Sequence, residues 1–315
     1  MNMIELFVTV IGLAMFEVIS SLDNAVVNAQ VLATMKSERV KKFFLTWGLL
    51  FGVFAVRGFL PSVIVFISDP SIGIMGAFQA MFSSDPRISE SIEASSPFLM
   101  MGGGTFLFLL FLEWFFTEDR ELGLPFEDPA LKFGAVWYYA IAALYILVIA
   151  FTNIASGPMI TAALVGYAAF FIAGGFKKNA EHQEEKMMND TNSAMSDWSK
   201  VLFLEVIDMM FSMDGVVGAF AFTKMVPLIL IGNGIGAFVV RELTIRNVDK
   251  IKKYAYLKHG AMYSIGVLGL IMLAEAFGNP MPMWLSPSVT FAFIGIFFWM
   301  SVQKLKKDAV ASVNA

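Results

Sequence analysis

The residues that could do chemistry are carboxylates set inside long apolar stretches. Glu17 and Asp23 fall in MIELFVTVIGLAMFEVISSLDNAVVNAQVLA, and Glu205, Asp208 and Asp214 fall in VLFLEVIDMMFSMDGVVGAFAF. A charged side chain at the centre of a membrane helix costs about 2.5–3.5 kcal/mol on insertion scales, so such groups need countercharge, protons or a bound cation. Both stretches carry Ser-x-Asp, as Ser21-Leu22-Asp23 and Ser212-Met213-Asp214, and each is followed by an apolar segment with an arginine, Arg57 or Arg241. These five acids outnumber the two arginines, and a divalent cation would offset most of the excess. Helical spacing puts Glu17, Ser20 and Asn24 on one face, and Glu205, Asp208 and Ser212 on another. Asp23 and Asp214 fall off those faces in a straight helix. A local break at each Ser-x-Asp would return them and free backbone carbonyls, as in the discontinuous helices of transporters.

The ligands on offer are oxygens: carboxylates, the Asn24 and Asn28 amides, serine hydroxyls and backbone carbonyls. The chain has no cysteine, and His182 and His259 lie in or beside polar stretches. An oxygen set suits Mg²⁺, Ca²⁺ or Mn²⁺ better than Zn²⁺ or Cu⁺. The competing reading makes each acid half of a buried ion pair that only fixes packing. It fits Arg57 and Arg241 better than Asp23 and Asp214. Gly102-Gly103-Gly104 read as close-packing glycines, since no phosphate-loop lysine follows them.

The elements that must position these groups are membrane helices. The 315 residues are 57% hydrophobic and 15% charged, against about 25% charged in soluble domains. Apolar runs long enough to cross a bilayer predict an all-α, polytopic membrane protein with about nine spans: 6–34, 43–67, 98–116, 134–151, 159–176, 201–222, 227–240, 260–277 and 288–302. The first run is read as a membrane helix rather than a removed signal. With the N-terminus outside and the C-terminus cytoplasmic, 18 of the 22 Lys and Arg fall on the cytoplasmic side, as the positive-inside rule asks. The Ser-x-Asp spans then cross in opposite directions, which predicts two inverted repeats: residues 1–116, and 200–315 after an inserted helix pair and polar loop at 117–199. The polar stretch 177–199 is expected to be mobile.

Glu17 followed by Ser21-Leu22-Asp23-Asn24 resembles the first signature of the TerC family of integral membrane proteins. Glu205, Asp208, Phe211, Ser212 and Asp214 resemble the second, Glu-x-x-Asp-x-x-Phe-Ser-x-Asp. Arg57 in AVRGF and Arg241 in VVREL match the arginines of the following helices, while Gly215 stands where the family usually has Ser or Thr. The resemblance covers spans one to three and six to nine. It implies kinship with LysE-type exporters built on inverted three-helix repeats, and roles in metal-ion efflux, chiefly of manganese, or in tellurite resistance. Under it the chain exports a divalent cation, manganese first and magnesium or calcium next, across a bacterial cytoplasmic membrane. Asp23, Asn24, Asp208 and Asp214 form the expected metal site. Glu17 and Glu205 act as flanking ligands or proton carriers, with protons as the coupling ion and one repeat rocking against the other. Ser20, Asn28, Arg57, Ser212 and Arg241 support the site. The alternative is an assembly or stress-resistance factor without transport of its own. A membrane enzyme is disfavoured, because the chain lacks Gly-x-Gly-Asp, His-Glu-x-x-His and Gly-x-Ser-x-Gly.

Overall fold

The computed structural model describes residues 3–48, 51, 62, 66, 73–80, 86–118, 124, 127–132, 134–152, 156–189, 196–246 and 253–314. Among these, all regular structure is helical: α1 Met3–Ser20, α2 Leu22–Ala33, α3 Glu38–Phe43, a π-helical turn Phe44–Gly48, α4 Gly73–Ala80, α5 Pro86–Thr117, α6 Asp128–Leu131, α7 Gly134–Thr152, α8 Gly157–Asn189, α9 Asp197–Ala219, α10 Val226–Arg246, α11 Leu257–Ala276 and α12 Leu285–Asn314. Among the described residues, six helical stretches are long and apolar enough to cross a membrane: Met3–Ser20, Ser96–Thr117, Gly157–Asn179, Val226–Leu243, Leu257–Ala276 and Leu285–Asp308. Val136–Thr152 is a shorter apolar helix. Most of the expected second span, with Arg57, lies outside the described residues.

The helices overrun several expected boundaries. α8 continues from its apolar part to Asn189, through the start of the stretch expected to be mobile. KKNAEHQEEKMMN is rich in Lys, Glu, Gln, Ala and Met, whose helix propensity holds the helix together once it has left its packed part. α5 begins at Pro86, within the expected polar loop. Proline suits that first helical position, where no amide hydrogen is needed.

The chain divides into two compact units, each drawing on both halves of the sequence: Met1–Asp85 with Phe171–Lys252, and Pro86–Phe170 with Lys253–Ala315. In the first unit α1 packs on α10 and α9. Gly232 of α10 lies against Leu13, and Gly236 against Ala14 and Glu17, so α1 and α10 run parallel. Gly215 of α9 lies against Glu17 and Ser20, and Gly218 against Phe16. Near the start of α9, Lys200 Nζ donates to the carbonyl and hydroxyl oxygens of Thr34, both at 3.0 Å. The path α1–α2 and helix α9 are therefore antiparallel. Asp197 Oδ2 clasps the same end, accepting from the amides of Lys36 (3.1 Å) and Ser37 (2.7 Å). Val31, Leu32, Met35, Val40, Phe44, Val201 and Leu204 form an apolar cluster there.

In the second unit the expected packing role of the glycine run is observed. A Cβ at Gly104 would stand 3.0 Å from the Gly269 carbonyl oxygen, and one at Gly102 would stand 3.0 Å from that of Ala162. Small residues let membrane helices approach backbone to backbone in this way. Gly104 faces Gly269 and Leu273, while Phe111 faces Gly266 and Tyr263, so α5 and α11 are antiparallel. α12 returns along α11, with the Tyr256 amide donating to Ser301 Oγ at 3.0 Å and Phe297 stacked on Tyr263. Large apolar side chains point outward from α7 and the first part of α8, among them Trp137, Leu147, Phe151 and Leu164. Such a surface is a liability in water and the natural one against lipid tails.

His259 departs from its expected polar setting. It is buried at the start of α11, edge-on to Trp114 and stacked with Phe297. Its Nε2 stands 3.4 Å from Oε2 of Glu127, which is fully buried at the head of α6. The Glu127 carboxylate also accepts from Tyr263 Oη at 2.5 Å and from the Leu124 amide at 2.8 Å. One buried acid thus ties the loop before α6 to α11. Tyr263→Phe removes a donor from it and should cost about 1–3 kcal/mol. The surface pair Lys258–Glu118, at 2.6 Å, is half-exposed, and Lys258→Ala should cost less than about 1 kcal/mol. Thermal unfolding of the two variants in detergent measures the contrast.

Candidate functional site

Glu17 is the most enclosed of the five acids. It is fully buried in α1, one turn before that helix yields to α2. Ser21 Oγ donates to Glu17 Oε1 at 2.5 Å. Ser20 Oγ (3.3 Å) and the Ser21 amide (3.0 Å) both donate to the Glu17 carbonyl. Serine hydroxyls bonded to nearby helix groups compete with the regular ladder, and here the expected break in the first Ser-x-Asp segment is found. It is a shallow one. Ser21 has φ −92° and ψ 5°, and the Ala25 amide still donates to its carbonyl at 2.9 Å. The second expected break does not occur, since α9 is continuous from Asp197 to Ala219 through Ser212 and Asp214. α9 passes α1 without bending because it presents Gly215 and Gly218 to Glu17 and Phe16, leaving room for both side chains.

Three bare backbone positions frame the acids. A Cβ at Gly215 would stand 2.9 Å from Glu17 Oε2 and 3.8 Å from Ser20 Oγ. One at Gly236 would stand 2.5 Å from Glu17 Cβ and 2.6 Å from the Ala14 carbonyl oxygen. One at Gly48, at the end of the π-helical turn, would overlap Glu205 Oε1. Glu17 of the first motif therefore meets the Asp214–Gly215 step of the second. The serine or threonine expected at position 215 by family resemblance would place its Cβ against that carboxylate.

The remaining site residues lie further along α9. Asp208 is buried, and Glu205 is half-buried with an enclosed Oε1 that has no hydrogen-bond partner among the described residues. Asn28 is buried on α2, and its Oδ1 likewise lacks a partner there. Measured from the Lys200–Thr34 contact at 1.5 Å per residue, Asn28 and Glu205 lie at similar depth, about 9 Å and 8 Å along their helices. Glu205 and Asp214 are separated by about 13 Å along α9. Cation–oxygen distances of about 2.0–2.6 Å forbid one ion from touching both. The expected single site divides into two levels: Glu17 with Asp214, and Glu205 with Asp208 and Asn28. Among the described residues no group of three His, Cys, Asp or Glu is arranged to hold a metal ion. A cation at either level would have to draw on hydroxyl, amide or backbone oxygen as well as carboxylate.

Asp23, Asn24 and Ser212 are placed by their backbones alone, the first two in α2 and the third in α9. Arg57 lies outside the described residues. Arg241 is half-buried on α10 with its guanidinium 5.9 Å from the Phe238 ring centre. Asn233 is 1% exposed on α10, and neither amide atom has a partner among the described residues. Burial of such a group costs roughly 2–7 kcal/mol when no hydrogen bond compensates. The sequence signal for it was Gly-Asn-Gly in the middle of an apolar span.

Helices of membrane-spanning length, lipid-type outer surfaces and acids enclosed between them define a multi-pass integral membrane protein. Residues 22–308 match the model of a family described as a protein of unknown function, DUF475, and the chain belongs to that family. Over 118 residues it is 29% identical to the uncharacterized membrane protein YceF of Bacillus subtilis (strain 168). That match covers 36% of this chain and 46% of the relative, so the chain spans less than half of the curated relative's length. No solved structure matches it.

The two glycines against Glu17 make separable demands. Gly236→Ala meets main chain and should cost about 1–3 kcal/mol as α1 is forced away. Gly215→Ala meets only the tip of a flexible carboxylate and should cost less. Unfolding temperatures of both variants in detergent check the order.

Proposed function

We propose that this protein exports a divalent metal cation across a bacterial cytoplasmic membrane, with manganese the first substrate to test and magnesium or calcium next. The observation that carries the reading is Glu17, buried in an apolar helix and set against the Asp214–Gly215 step of an antiparallel helix. Such acids within membrane spans mark ion pathways and proton relays. The antiparallel run of α1 and α9 supports two motifs of opposite orientation, the arrangement of inverted-repeat transporters. The resemblance to the TerC family supports the choice of manganese. Protons are the proposed coupling ion, carried by Glu17 and Glu205, and the two levels along α9 are successive stations for one cation. Asp23, Asn24 and Asp208 complete the proposed ligand set.

The alternative reading is an assembly or stress-resistance factor that moves no ion.

Flux decides between them. In proteoliposomes loaded with Mn²⁺, Mg²⁺ or Ca²⁺, the wild type should transport at least one ion. Glu17→Gln and Asp214→Asn should each lower that flux by at least about tenfold with the protein still folded. Undiminished flux in folded variants would refute the site. Absence of flux for all three ions in the wild type would leave the assembly role.

A further inference from the structure

We infer that Asn233 is a direct ligand of the transported cation at the level of Glu17 and Asp214, contributing a neutral amide oxygen beside their carboxylates. This rests on the transport reading above and adds to it a residue on a third helix. Asn233 belongs to the buried stripe of α10 formed by Ile229, Gly232, Asn233, Gly236 and Val240. Gly232 packs on Leu13 and Gly236 on Ala14 and Glu17, so the stripe faces α1. Asn233 lies three residues, about 4.5 Å along the axis, from the glycine that touches Glu17. Its Oδ1 and Nδ2 are both enclosed and without a hydrogen-bond partner among the described residues.

An interhelical hydrogen bond to any described residue would show a partner for at least one of those atoms. A packing role would be served better by Leu or Ile, which carry no polar atoms to desolvate. A cation would give the enclosed Oδ1 the partner it lacks among the described residues. Amide oxygens sit routinely beside carboxylates in hard-cation sites. The same arrangement explains how a level with two carboxylates can serve an ion that needs more oxygens.

The test uses the full-length protein in detergent, with Mn²⁺ as the probe. Binding is read from loss of the free-ion electron paramagnetic resonance signal, and the unfolding temperature is measured alongside. Asn233→Leu should raise the Mn²⁺ Kd by at least about tenfold, with the unfolding temperature unchanged or higher. Asn233→Asp keeps the oxygen and should bind at or below the wild-type Kd. Thr290→Val, at a buried hydroxyl of α12 that also lacks a partner among the described residues, should leave binding unchanged. A wild-type Kd in Asn233→Leu would overturn the assignment while the transport reading stands. If Asn233→Leu does not fold, a raised Kd in Asn233→Asp overturns it, and an equal or lower one supports it. A wild type that binds none of Mn²⁺, Mg²⁺ and Ca²⁺ overturns the transport reading, and the assignment with it.

Discussion

The first unit depends on the enclosure of the Glu17 carboxyl away from both water and lipid. A bilayer offers such a group nothing, so its environment must come from neighbouring protein. Ser21 supplies a hydroxyl, the shallow break after Ser20 lets that hydroxyl turn back along the helix, and Gly215 and Gly236 bring two further backbones close. Gly236 also lets α1 and α10 touch main chain to main chain, whereas the contact at Gly215 is with side-chain tips, the Glu17 carboxylate first. The serines compete with the helix ladder of α1 just where it gives way to α2.

The second unit solves a similar problem near a helix end. Glu127 is fully buried, yet it is met by a tyrosine hydroxyl, a backbone amide and a histidine edge. Its role is to hold a loop to α11. The two settings differ in kind. Around Glu127 the neighbours are aromatic and the hydrogen bonds are plural. Around Glu17 and Glu205 the neighbours include glycines, Gly215 and Gly236 for the first and Gly48 for the second, and Glu205 Oε1 has no hydrogen-bond partner among the described residues.

Hydropathy alone was enough to find the helical, membrane-spanning character, because a span needs only length and apolar composition. It placed α7, α8, α10, α11 and α12 near their observed positions. It missed the extensions of α5, α8 and α12, because helix propensity continues a helix after hydrophobicity ends and leaves no mark on a hydropathy count. The acids were legible as costly residues, and Glu17, Ser20 and Ser21 proved to be neighbours in space. Their tertiary partners were not. Nothing local in Gly215 or Gly236 says that another helix's carboxylate or carbonyl will occupy the missing side chain. Glu127 was hidden for the opposite reason: an acid in a charged loop is ordinary until a fold buries it.

The difference between the two glycine contacts has a mechanical meaning. At Gly236 the neighbour includes the Ala14 carbonyl, so α1 and α10 touch main chain to main chain. At Gly215 the neighbours are the tips of the Glu17 and Ser20 side chains. Close-packed backbones resist relative displacement, whereas side-chain tips turn between rotamers at little cost. α1 and α10 therefore behave as one stiff strut, and α9 bears on it through a compliant joint whose pivot is the carboxylate itself. Movement of α9 along that strut would be felt first by the group that carries the charge.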